Sequence, residues 1–149
     1  MKLADIFASR LHELFMKPDG FRRKGRSFFR GHADYMEYYQ LQGSAWNSPD
    51  RPWRFYVNCG VGFPGLPIHG VGTGVSGVHA ATRLTVFVRE APPQYDLIPD
   101  NLEALVVQIG AHLRRCSAYF ARRHEVLRES YQARHYHLSF LHDPELQNG

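Results

Sequence analysis

The chain has 149 residues, 44% of them apolar and 21% charged, with a net charge of +4. That length and composition suit one folded domain whose core needs no metal or disulfide staple, and they exclude wholesale disorder. No run approaches the roughly 18 apolar residues of a membrane-spanning helix. Asp5 and Arg10 interrupt the N-terminal apolar stretch where a signal peptide would need continuity, and two distant cysteines, Cys59 and Cys116, fit a reduced cytoplasmic protein.

Leu3, Phe7, Leu11 and Leu14 recur at helical steps and predict an amphipathic helix over 3–16, stopped by Pro18, Asp19 and Gly20. Residues 21–30, FRRKGRSFFR, read as a strand on which Arg22, Lys24, Arg26 and Arg30 share a face, with Gly25 marking a bulge or turn. Tyr35, Tyr38, Tyr39 and Leu41 favour a strand over 34–43, and Asn47, Ser48, Pro49, Asp50 and Pro52 favour a loop. The clearest strand is 53–63. Its residues Trp53, Phe55, Val57, Cys59, Val61 and Phe63 form an unbroken apolar face opposite Arg54, Tyr56, Asn58, Gly60 and Gly62. Residues 64–80, rich in Gly and Pro, form a long loop of a length that is often functional or mobile.

A strand over 81–89 points Leu84, Val86 and Val88 inward and Arg83, Thr85, Phe87 and Arg89 outward, and Ala91, Pro92 and Pro93 end it. A long helix over about 100–127 follows, with Asp100 as N-cap, Glu103 completing a capping box, and an apolar seam from Leu102 to Phe120. The tail from Tyr131 onward reads as a short strand or a docked extended segment, and Asp143-Pro144 ends ordered structure. Strands in a run, flanked by helices, give an α+β fold with an antiparallel sheet of about four to five strands, in a single domain over 1–149.

Charge is unevenly placed. Arg22, Arg23, Lys24, Arg26 and Arg30 fall within ten residues that hold no acid. Without those five, 13 basic residues face 14 acidic ones, so the whole positive excess lies in this strip. Such a strip attracts nucleic acid, acidic proteins or phosphorylated ligands, and it equally protects a solvated edge strand against pairing.

At this strip the sequence resembles the bacterial domain-of-unknown-function family 4304. The shared signals are a short N-terminal helix, Gly20-Phe21, Arg22-Arg23-Lys24-Gly25, an aromatic at Phe28 or Phe29, and Arg30. A later strand carries Phe55, Val57, Asn58, Gly60 and Val61, and Arg83 corresponds to an arginine on the next strand. Where family members carry tryptophans shortly after that strand, this chain has Tyr95. The likeness covers about the first two-thirds of the chain. It implies an α+β fold and brings no known activity or catalytic residue.

Chemical motifs are sparse. Gly72, Gly74 and Gly77 spell G-x-G-x-x-G, but a strand rather than a helix follows them, and all three lysines (Lys2, Lys17 and Lys24) precede them. Four of nine histidines, His124, His135, His137 and His142, lie in the last quarter without a recognised ligand spacing. Cys59 and Cys116 sit on apolar faces and read as small buried hydrophobes. No G-x-S-x-G elbow or carboxylate pair stands out, so the sequence implies no cofactor and no metal and leans away from an enzyme.

The non-core sheet face collects Tyr35, Tyr39, Arg54, Tyr56, Asn58, Arg83 and Phe87 beside part of the basic strip. The expected binding residues are therefore Arg22, Arg23, Lys24, Arg26, Arg30, Tyr39, Arg54, Tyr56, Asn58 and Arg83. The expected function is a non-enzymatic interaction domain for an acidic protein or another small anionic partner. A nucleic-acid-binding module is the alternative, and an enzyme using the histidines or the Gly-rich loop is a third.

Overall fold

The computed structural model describes residues 2–49, 51–68 and 77–147. Helix α1 (Leu3–Leu11) buries Ala4, Phe7, Ala8 and Leu11, then widens into one π-helical turn over His12–Met16. The wider turn rotates Leu14 off the apolar face and leaves it exposed, and Met16 takes its place in the core.

The single strand expected over 21–30 is a hairpin. β1 (Arg22–Lys24) and β2 (Ser27–Gly31) are joined by Gly25 and Arg26. Gly25 has φ +60°, the left-handed conformation that a tight hairpin turn demands. The register pairs Arg23 with Phe28 and Lys24 with Ser27. Directly opposed residues share a face, so Arg22 and Lys24 lie on one side of the sheet and Arg26, Phe28 and Arg30 on the other.

β3 (Met36–Gly43) and β4 (Trp53–Gly62) form the long central pair, and the order β1-β2-β3-β4-β5 is antiparallel throughout. Two short strands share the outer edge of β4: β5 (Ala80–Arg83) pairs with Asn58–Val61, and β6 (Tyr95–Leu97) with Trp53–Phe55. The strand expected over 81–89 ends at Arg83. There the chain enters a 3-10 turn, Leu84–Val86, that drives Leu84 into the core. Phe87 consequently packs inward against Tyr119, Phe120 and Phe140 instead of facing solvent.

Helix α2 (Leu102–Ala133) runs further than its apolar seam predicts. Its start is organised by Asn101 rather than Asp100: the Asn101 side chain accepts from the Ile98 amide and donates to the Asp96 carbonyl. Glu103 is drawn away to Arg10 on α1. After α2 the chain makes a 3-10 turn at Phe140–His142, and order continues past Asp143-Pro144 in the short helix α3 (Pro144–Gln147). Asp143 anchors this segment, accepting from Tyr119 and from both Nε and Nη2 of Arg123.

Both long helices cover the same sheet face. Phe7 meets Phe55, and Cys116 Sγ lies 3.9 Å from Cys59 Sγ, both thiols free and buried. At Gly110 a Cβ would stand 2.4 Å from the Phe15 ring, so only glycine lets α1 and its π turn lie this close to α2. The result is α+β, with an antiparallel sheet backed on one face by helices. Among the described residues no helix is long and apolar enough to cross a membrane.

Candidate binding face

No described helix packs on the opposite face of the sheet, and its composition follows from strand parity. One cross-strand row reads Lys24, Ser27, Gln40, Asn58, Arg83, each opposite the next. It has a cation at each end, three uncharged polar groups between them, and no acid. The adjacent row reads Arg22, Phe29, Tyr38, Gly60, Ala81. On the other side of the polar row, Gln42 lies opposite Tyr56.

Arg83 organises the centre. Its Nη1 donates to Asn58 Oδ1 (2.7 Å) and to Gln42 Oε1 (2.9 Å), and its guanidinium lies 4.2 Å from the Tyr56 ring centroid. Asn58 Nδ2 in turn donates to Gln40 Oε1 and Gln42 Oε1. Gly60 and Ala81 supply almost no bulk in the next row. A shallow hollow of about 300 Å³ is left there, lined by Tyr38, Gln40, Gln42, Asn58, Ala81 and Arg83. Tyr38 is buried although it lies outside the main core. Burial pushes its phenol up, and among the described residues the hydroxyl makes no hydrogen bond of good geometry, with Ser27 near enough to oppose that shift.

The ten expected binding residues separate. Arg22, Lys24, Tyr56, Asn58 and Arg83 lie on this face, and among the described residues none of these three cations has a carboxylate partner. Arg54 is on the same side but is held by Asp96 through a bidentate pair, with Nε–Oδ1 at 2.9 Å. Arg23, Arg26 and Arg30 fall on the helix side, bonded to Ser9, Asp5 and Glu37. Tyr39, expected on the binding face, is buried against α2, because its parity is that of Leu41 and Glu37. Tyr35 is likewise buried, stacked between His32 and His124 at 4.1 and 4.3 Å.

Glu37 explains where the rest of the basic strip is spent. This carboxylate is fully buried and receives Arg30 (2.8 Å) and His32 (2.6 Å) on Oε2, and Tyr39 and Ser117 on Oε1. Four donors saturate it, so it serves as a clamp from the β2–β3 hairpin to α2. Burial, reinforced by the Glu37 charge, pushes the Tyr39 phenol well up and keeps it a neutral donor.

Gln40 and Gln42 belong to the face and were not anticipated. Their i, i+2 spacing on a strand, in the parity opposite to Tyr39 and Leu41, is the signal that marks them. Gly72 and Gly74 of the glycine motif lie outside the described residues, and Gly77 sits in a turn with φ +84°. Among the described residues no cluster of His, Cys, Asp or Glu has the makings of a metal site.

The fold and face together define an α+β domain whose sheet is backed by helices on one side and carries a polar, cationic face on the other. The chain belongs to the family described as a domain of unknown function, DUF4304, whose model matches residues 13–114. That stretch runs from the π turn through the whole sheet into the first half of α2, and so contains the candidate face. Comparison with curated proteins and with solved structures gave no match.

Proposed function

We propose that this domain is a non-enzymatic interaction module that binds an acidic protein or another anionic partner through the helix-free face of its sheet. One observation carries the reading. Among the described residues Arg22, Lys24 and Arg83 stand on that face without a carboxylate, while most of the other arginines in the chain are neutralised by an acid. Asp96, which lies cross-strand from Arg54, is already taken by it. Unpaired cations beside fixed amide dipoles and an aromatic ring attract negative charge and give it a defined seat.

Titration of isotope-labelled protein with poly-L-glutamate at low salt tests the reading. Amide resonances of Lys24, Gln40, Asn58, Tyr56 and Arg83 should shift together and return when salt is raised. Shifts confined to other cations such as Arg128 and Arg134, or no shifts at all, would overturn it.

A further inference from the structure

We infer that the partner of this face is an extended acidic peptide laid across the strands, with one carboxylate in the free fork of Arg83 and a second near Lys24. The inference rests on the anionic-partner reading above and adds the ligand's chemistry and direction.

Both Nη1 protons of Arg83 are committed, to Asn58 and Gln42, and the Tyr56 ring supports the guanidinium plane. Nε and Nη2 carry no hydrogen bond among the described residues. That edge is the bidentate fork that grips a carboxylate, and Arg54 uses the same two nitrogens on Asp96 in this molecule. Two hydrogen bonds and a stacked ring hold the fork in place before any ligand arrives, so little side-chain entropy remains to be lost on binding.

The amides add donors. Gln40 Oε1 accepts from Asn58 and Gln42 Oε1 from Asn58 and Arg83, and among the described residues neither Nε2 makes a hydrogen bond. Gln40 stands in the row itself, with Gln42 beside it on the same strand, so an amide donor is available to a carbonyl oxygen of a chain laid along the row. The cations Lys24 and Arg83 end the row four strand spacings apart, roughly 19 Å. An extended peptide spans that in about six residues.

Fluorescence polarisation with labelled glutamate peptides tests this. Octaglutamate should bind the wild type. Arg83→Lys, which keeps the charge and removes the fork, should weaken binding at least fivefold. Ala81→Leu, which fills the hollow without altering charge, should weaken it comparably. Lys24→Gln should weaken octaglutamate about threefold but leave triglutamate, too short to span the row, unchanged. Circular dichroism and thermal melting verify that each variant is folded. If Arg83→Lys binds as the wild type while poly-L-glutamate still shifts the face, the fork is wrong and the broader reading stands. If the face does not respond at all, both fall. Tighter binding of an eight-nucleotide oligothymidylate than of octaglutamate would overturn the peptide assignment.

Discussion

Arginine has three fates in this chain, and the surroundings rather than the side chain decide between them. Arg54 is matched by an exposed carboxylate, Arg30 is drawn to a buried one, and Arg83 finds only amide oxygens and a ring. Only the last keeps a fork to offer. The Glu37 clamp shows the cost of the second fate, since a fully buried carboxylate is tolerated only because four donors reach it. Glu37→Gln leaves Arg30 and His32 facing an amide that satisfies them poorly. We expect a loss of about 3 kcal/mol in urea unfolding. A loss below about 0.5 kcal/mol would mean that the clamp contributes little. The role of Glu37 was not legible from sequence, because a lone glutamate between tyrosines carries no pattern that announces burial.

At the scale of elements, the outcome turned on parity. A two-residue turn at Gly25 splits the basic strip and sends alternate cations to opposite sides of the sheet, so five clustered charges do not make one patch. The same logic placed Tyr39 inside and Gln40 outside. The unbroken alternation of 53–63 was readable because every second residue is apolar over the whole length of β4. The C-terminal segment is a different case, held by one acidic residue more than by its own propensity. Burial works against ionisation of Asp143, but hydrogen bonds from Arg123 and Tyr119 overcome it and hold the carboxyl below its ordinary value. Asp143→Asn should release Phe140–Gln147 from α2. Amide hydrogen exchange should then rise sharply in that segment and stay unchanged in β3 and β4. Uniform acceleration across the sheet would show instead that the segment is integral to global stability.

For the molecule as a whole, pH gives the most direct check on its electrostatics. Hydrogen bonds from Arg115, Arg54 and Arg10 hold the carboxyls of Glu90, Asp96 and Glu103 below their ordinary values, and Asp143 joins them. Carboxyls depressed in the folded state contribute stability that is present above their unfolded values and lost as pH falls through the folded ones. Burial lowers His112, whose Nδ1 has no partner among the described residues, so the unfolded chain takes up that proton first and stability falls with pH there too. The melting temperature should therefore decline in two stages, first below about pH 6.5 and again below about pH 4. His112→Gln should flatten part of the first stage and leave the second intact. A wild-type curve flat from pH 7 to 5 would contradict the assignment to His112.

Periodicity and turn chemistry are local properties, and they were enough to establish from sequence the α+β class, both long helices and the β4 strand, while the residues around Gly20–Arg30 and Phe55–Val61 carried the family resemblance. Residues close in the chain carry those signals within a few positions. Which arginines are neutralised, and which side of the sheet the helices leave uncovered, are set by contacts between residues up to 95 positions apart, as in Arg114 with Asp19. Charge pairing depends on distance in space, and only strand register and helix docking fix that distance. The basic strip was therefore visible in the sequence, while the Arg83 fork became visible only in the folded chain.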